Sequence, residues 1–252
     1  MQTLFIGKKR IFLPQMSSTN SYATDLLKNV NQPEGTLIHT DLQTAGKGQR
    51  GAAWLADSGQ NLTASIILKP VFLPLHKQFL LYKITALACY DTITELCANS
   101  QIDIKIKWPN DILVNFKKVA GILIENNIQH NLLQWSVIGV GINLNQTDFH
   151  NLPHASSLKL ITKHSINPAY CLDLVCMHLE KYYLSLMNAK FENIRESYLN
   201  RLFGTDNFYP YEINHSVVHL RVRGISAAGL LVLESKAGES IELDVKDAKL
   251  LL

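Results

Sequence analysis

The chain has 252 residues, with 24 Lys and Arg against 21 Asp and Glu and a formal net charge of +3. That length holds one large domain, or one large and one small, around a substantial core. The positive charge is not gathered into a long basic block, so composition gives nucleic-acid binding no support and leaves small anionic ligands open.

The stretch from Met1 to Pro14 lacks the long apolar centre of a signal peptide, and no apolar run is long enough to cross a bilayer. A cytoplasmic protein with no membrane association is expected. Cys89, Cys97, Cys171 and Cys176 fall in helix-like stretches without Cys-x-x-Cys spacing, the pattern of buried reduced thiols. His150 and His154 flank Pro153 in a loop, and His215 and His219 sit among apolar residues near the carboxyl end. Neither pair has a third ligand in view, which leaves zinc without a donor set.

Ser17-Ser18-Thr19-Asn20 supplies N-cap candidates before a short helix over Ser21 to Asn29. A turn at Asn31 to Gly35 leads into a strand over Thr36 to Asp41. The loop Gln43 to Trp54 then carries Gly46, Lys47, Gly48, Gln49, Arg50 and Gly51. Its glycines spell GxGxxG, the dinucleotide fingerprint, but the context disagrees: such a loop opens into an apolar helix, whereas Asp57-Ser58-Gly59 leads here into an alternating strand over Asn61 to Leu68. A glycine-rich loop between strands with Lys47 and Arg50 can still wrap a phosphate with backbone N–H groups. It is also readable as a flexible polar loop.

Pro74 begins a long packing helix that runs to about Asn99. Ile102, Ile104 and Ile106 then alternate with Asp103, Lys105 and Lys107, as in a strand with one buried face. The strand ends at Trp108-Pro109, because Pro109 has no N–H for the ladder and holds Trp108 extended. Asn110 and Asp111 stand at its mouth. Ile112 to Val114 and Val119 to Ile124 form a hairpin around Asn115-Phe116-Lys117, with Gly121 amid the apolar second arm. Lys118 is thereby brought near a carboxylate, an amide and an indole. Alone, this stretch is equally readable as a decorated hairpin.

Leu132 to Leu144 returns as an apolar strand whose Gly139 and Gly141 bare one face, opening room beside Asn143 for a flat ligand or for tight packing against a neighbouring element. After a loop-rich Gln146 to Asn167, helices are expected over Pro168 to Leu186 and Phe191 to Phe203, with Gly204 as a C-cap. From Thr205 the character changes to short β-prone runs, Val217 to Val222, Leu230 to Glu234 and Ser240 to Val245, punctuated by Gly224, Gly229 and Gly238. This predicts a small barrel-like or sandwich-like appendage leaning on the larger part.

Lys107-Trp108-Pro109-Asn110-Asp111 followed by Lys118-Val119-Ala120-Gly121-Ile122-Leu123, with Ser18-Thr19-Asn20, the Gln43 to Trp54 loop and Gly139 to Asn143, resembles the biotin protein ligases over nearly the whole chain. The resemblance implies an α+β catalytic domain over residues 1–204, related to class II aminoacyl-tRNA synthetases, with a mixed sheet and flanking helices. It also implies a C-terminal SH3-like β-barrel domain over residues 205–252. The implied activity is activation of biotin by ATP, with Mg2+, to biotinyl-5'-AMP, followed by transfer to a lysine of the biotin carboxyl carrier protein of acetyl-CoA carboxylase or of a related carboxylase. By resemblance, Ser18, Thr19, Asn20, Gln43, Gly46, Lys47, Lys118 and Gly121 would hold biotin. Lys47, Gly48, Gln49, Arg50, Trp54, Asn110, Lys118 and Asn143 would hold the nucleotide.

The chemistry suits those residue types. Biotin's carboxylate is ionised at neutral pH, so its attack on the α-phosphate needs charge neutralisation and alignment, which Lys118, Arg50 and magnesium would supply. Asp111 is the candidate acceptor of the proton that the carrier amine must lose. Two features depart from the family pattern. Gly-Lys-Gly-Gln stands where many members have Gly-Arg-Gly-Arg, so Lys47 replaces a planar fork and Gln49 carries no charge. Only about Met1 to Met16 precedes the Ser-Thr-Asn element, too little for a helix-turn-helix, so a ligase without repressor activity is expected. The competing readings are a lipoate or octanoate ligase on the same fold and a non-catalytic biotin-binding protein. Whether the protein is a monomer or a homodimer stays open.

Overall fold

The structure is a computed structural model that describes residues 3–98, 100–149, 152–244 and 246–251. His150, the helix end expected at Asn99 and the strand end expected at Val245 lie outside them. One mixed, seven-stranded sheet contains β1 (Arg10–Met16), β2 (Leu37–Gln43), β3 (Leu62–Leu68), β4 (Ile104–Lys107), β5 (Asp111–Val114), β6 (Lys117–Gln129) and β7 (Leu132–Ile142), in the order β1-β2-β3-β7-β6-β5-β4. β1 and β2 run parallel and the remaining neighbours antiparallel. A five-stranded antiparallel sheet follows, with β8 (Tyr209–Ile213), β9 (Ser216–Ile225), β10 (Leu231–Ser235), β11 (Ser240–Leu243) and β12 (Lys249–Leu250) in the order β11-β10-β9-β8-β12.

Helices cover the large sheet unequally. α2 (Phe79–Leu96), α4 (Pro168–Met187) and α5 (Phe191–Leu199) pack over one face and enclose the main core, which takes Leu37, Ile66 and Ile138. On the opposite face α1 (Thr19–Asn29) closes a smaller core of Met16, Ala23, Ile38, Ile67 and Val137. β3 is therefore buried along its whole length rather than wet on alternate positions, because its alternating side chains meet cover on both sides. The four cysteines are free and buried, and burial pushes the Cys89 and Cys176 thiols up to about 12. Among the described residues, no helix is long and apolar enough to cross a membrane.

The hairpin between β5 and β6 is tighter than expected. Asn115 and Phe116 both have positive φ, as a two-residue turn of the primed type requires, and Lys117 already belongs to β6. The Trp108–Pro109 peptide is cis, within a turn between β4 and β5. β1 is absent from the sequence reading because Pro14 interrupts its pattern; an edge strand tolerates the missing N–H. α3 (Leu158–Thr162) is a short helix inside the expected loop.

Gly204 does not cap α5, which ends at Leu199 with Asn200 in right-handed conformation. Gly204 (φ +83°) instead turns the chain toward the second sheet, and its carbonyl accepts from Val222 N–H at 2.8 Å. Just before it, residues 201–203 extend the large sheet. Ile106 N–H donates to Arg201 O and Phe203 N–H to Ile106 O, both at 2.8 Å, which covers the β4 edge.

The amino-terminal turn is tied to α4 by a buried carboxylate. Glu180 accepts from the backbone N–H groups of Leu4, Phe5 and Ile6 at 2.6, 2.8 and 2.9 Å. Charge-assisted bonds of this kind leave costly orphans when broken. Glu180→Ala is expected to lower unfolding free energy by about 2–4 kcal/mol, read from the urea midpoint at unchanged slope.

Candidate active site

On the α1 face, the register of four strands lines up Thr63, Gly141, Gly121 and Asp111 in one row, as Thr63 opposite Gly141, Gly141 opposite Gly121 and Gly121 opposite Asp111. The neighbouring row is Ser65, Gly139 and Leu123. Two adjacent glycines in the first row leave a trough without side chains, and the Trp54 indole lies in it. A Cβ built on Gly141 would run into the indole, and one built on Gly121 would come within 2.9 Å of Trp54 Cζ3. Above this floor is a cavity of about 250 Å³, walled by α1, the Lys47–Trp54 loop, Asn110, Asp111 and Lys118.

Its polar end is a hydrogen-bonded chain. Thr19 N–H donates to Gln43 Oε1 at 2.8 Å, and Ser65 Oγ lies 2.7 Å from Thr19 Oγ1 and 2.6 Å from Asn20 Oδ1. Asn20 Nδ2 donates to Glu125 Oε2 at 2.8 Å. Thr19 Oγ1 also lies 3.1 Å from Gln43 Oε1, so the Thr19 hydroxyl proton has Gln43 and Ser65 in reach and the Ser65 proton has Thr19 and Asn20. Gln43 Oε1 is held by the Thr19 backbone N–H, and Gln43 lines the cavity. Ser18 caps α1 by accepting from Ser21 N–H at 3.4 Å, and it also lines the cavity.

The opposite end carries charge. Lys118 Nζ is 2.7 Å from Asp111 Oδ1 and 5.8 Å from the centre of the Trp54 ring. Its backbone is clamped on both sides, since Lys118 N–H donates to His154 O at 2.7 Å and Lys118 O accepts from Ser156 N–H at 3.0 Å. Lys107 stands beside the pair, and burial, reinforced by Lys118, holds its amine below the usual lysine range against the pull of Asp111. A larger cavity of about 650 Å³ opens on the far side of Asp111 and Lys118, between the two sheets, with His154, Phe203 and Tyr211 in its wall.

Arg50 reaches the small cavity from a single 3-10 turn at Gln49–Gly51, in left-handed backbone conformation (φ 56°). Its guanidinium bonds Asp244, after β11, at 3.2 Å. The two cation-bearing segments thus converge on one cavity, with the Arg50 head drawn toward the second sheet.

A family model described as the biotin/lipoate A/B protein ligase family matches residues 12–143. The chain belongs to that family. The bifunctional ligase/repressor BirA of Bacillus spizizenii is 34% identical over 242 residues, covering 94% of this chain and 73% of that protein. The biotin--[acetyl-CoA-carboxylase] ligase of Paracoccus denitrificans is 30% identical over 234 residues, covering 91% and 95%. The fold matches that of the biotin protein ligase from Aquifex aeolicus with a TM-score of 0.79 at 23% identity, over 97% of this chain and 99% of that one. The architecture is therefore the biotin ligase catalytic fold, a mixed sheet with helices, followed by a second antiparallel sheet.

Within this family fold, most of the sequence-derived residues meet at the small cavity: Ser18, Thr19, Asn20, Gln43, Lys47, Gly48, Gln49, Arg50, Trp54, Asn110, Asp111, Lys118 and Gly121. Two do not line it. Gly46 is under the loop, where a Cβ would strike the Trp54 carbonyl, and its own carbonyl accepts from Trp54 N–H at 2.9 Å. Asn143 is buried behind the sheet, with Nδ2 donating to Ser156 O at 3.0 Å. Its amide nitrogen steadies the segment that clamps Lys118, and its Oδ1 is buried without a hydrogen-bond partner among the described residues. The room expected over Gly121, Gly139 and Gly141 is also taken, by Trp54 over the first and last and by Asn20 over Gly139. Asn110 faces the cavity with its amide already donating to Ile122 O at 2.9 Å.

Ser65 is the residue that sequence reasoning missed. Its signal was present as a hydroxyl inside the apolar run Ala64-Ser65-Ile66-Ile67-Leu68, at the same parity as Thr63. A methyl group at Gly141 would have to displace the indole. Gly141→Ala is expected to loosen the Lys47–Trp54 loop and to speed tryptic cleavage there at least about threefold through more frequent local opening. Cleavage at the wild-type rate would show that the trough does not seat Trp54.

Proposed function

We propose that the protein activates biotin with ATP to biotinyl-5'-AMP and passes the biotinyl group to a lysine of a biotin carboxyl carrier protein. The observation that carries this reading is the Lys118–Asp111 pair at the end of a cavity whose other end is the Thr19–Gln43–Ser65 hydrogen-bond system. A ureido ring matches the polar end, since it offers both donors and acceptors. Each group left unmatched by a poorer ligand would cost about 1–3 kcal/mol, which favours biotin over a lipoyl group.

At the charged end Lys118 would leave Asp111 for the α-phosphate as the biotin carboxylate attacks it and pyrophosphate departs. Arg50 would leave Asp244 to help neutralise the phosphates. Among the described residues no three His, Cys, Asp or Glu side chains gather as a metal set, so magnesium would enter on the phosphates of ATP. Trp54, whose indole N–H is buried without an acceptor among the described residues, would pack against the adenylate. The carrier amine would then approach through the larger cavity, attack the acyl carbonyl and expel AMP. Asp111, released from Lys118, would take the proton that the amine loses.

The carrier of acetyl-CoA carboxylase, or of a related biotin-dependent carboxylase, is the partner we assign. We also read residues 1–204 as the catalytic domain, related to class II aminoacyl-tRNA synthetases, and residues 205–252 as an SH3-like domain. In support, the two sheets share no strand and Gly204 turns the chain between them.

Incubation with ATP, biotin and a carrier domain, followed by a streptavidin blot, should show labelling that disappears without ATP. Lys118→Ala should cut pyrophosphate release at least about tenfold, the rate equivalent of roughly 1.4 kcal/mol. Unchanged release would remove Lys118 from the chemistry. Asp111→Asn should slow transfer while leaving adenylate formation within about twofold, and equal loss of both half-reactions would reject its role as proton acceptor.

A further inference from the structure

Away from both cavities described above, Lys83 of α2 is buried, 7% exposed, with its ammonium 5.7 Å from the ring centres of both Phe79 and Tyr198. Its ammonium makes no hydrogen bond and no ion pair among the described residues. It faces a separate, half-open cavity of about 330 Å³, lined by α2, α5 and β9 to β10, whose wall includes Glu192, Arg195, Glu196, Tyr198 and Arg223. The two arginines already have carboxylates: Arg195 bonds Glu192 at 3.1 Å, and Arg223 bonds Glu234 at 3.0 Å. Lys83 does not.

A buried ammonium without a hydrogen bond or an ion pair is expensive, because it has lost its hydration and two ring faces return only part of that cost. Burial first, and Arg195 second, press the Lys83 amine down to about 8, with Glu192 pulling the other way. At neutral pH such an amine is still protonated by about ten to one. The chain therefore keeps a positive charge beside a cavity and, among the described residues, gives it two ring faces and a distant carboxylate but no direct counter-ion. The wall at Gly224 is open as well, since a Cβ added there would meet nothing within 4 Å.

The geometry points to a binding site for a small oxyanion of the phosphate class, held by Lys83 from within and by the outer guanidinium edges of Arg195 and Arg223. Glu192 and Glu196 stand in the same wall, the first paired with Arg195, and an anion binds only where the three cations outweigh them. Because the walls come from α2 and α5 on one side and β9 and β10 on the other, a bound anion ties the helical layer to the second sheet. The site shares no residue with the cavity of Lys118 and Asp111.

The test is site-resolved acylation of the full chain by acetic anhydride, with inorganic phosphate or chloride at matched ionic strength, each lysine quantified by peptide mass spectrometry. Phosphate should slow acetylation of Lys83 at least about threefold, the factor 1 + [L]/Kd at a concentration of about twice Kd. Arg223→Gln, a change at an exposed side chain, should reduce that protection while leaving acetylation of Lys83 in chloride as it was. Equal acetylation of Lys83 in the two salts would overturn the proposal. So would protection confined to Lys118, which would place the anion in the other cavity. A Lys83 that resists acetylation in chloride would overturn it as well, since the amine would then be closed to small solutes.

Discussion

The absence of two side chains is the constraint on which the site depends. Gly121 and Gly141 face each other across β6 and β7, and only that bare pair lets an indole lie flat on the sheet. Once Trp54 rests there, the glycine-rich loop that carries it is drawn over α1 and the sheet, bringing Lys47, Gln49 and Arg50 above the trough. The same row ends in Asp111, so the strand register that seats the ring also delivers the carboxylate. Steric emptiness and charge are thus placed by one alignment of backbone hydrogen bonds.

The placement of Lys118 is a backbone matter in the same way. It sits where the β5–β6 register shifts, and the carbonyl and amide on either side of it are taken by residues 154–156. A long, flexible side chain gains precision only if its root is fixed. Here the root is fixed three times over, by His154, by Ser156 and, through Ser156, by Asn143.

Much of this was legible in the chain because strand periodicity assigns faces. Alternation put Gly139 and Gly141 on one side, and Lys-Trp-Pro-Asn-Asp placed an acid at a strand mouth. What periodicity does not specify is the occupant of a bared face, and so the room read as space for a ligand belongs in part to Trp54 and Asn20. Asn143 looked like a ligand contact because it follows that face in sequence. One residue past the end of β7 its backbone N–H still bonds Val119 O of β6 at 2.8 Å, while the side-chain amide turns to Ser156. Ser65 stayed hidden because a hydroxyl in a buried strand declares itself only when its partners, 45 and 46 residues away, are known. Pro14 hides β1, because only an edge position accommodates a proline in a strand, and Gly204 lies beyond a helix that ends at Leu199.

The bond between Arg50 and Asp244 gives the loop a particular mechanical character. Both side chains are close to half exposed, so their attraction is worth no more than about 1 kcal/mol in physiological salt. Arg50 meanwhile sits in a backbone region that disfavours any residue with a Cβ, by roughly 1–2 kcal/mol. The tether is consequently weak and slightly spring-loaded. A polyanion arriving beneath the loop competes against almost nothing, and the first motion it provokes is felt at the far sheet as well as at the near one.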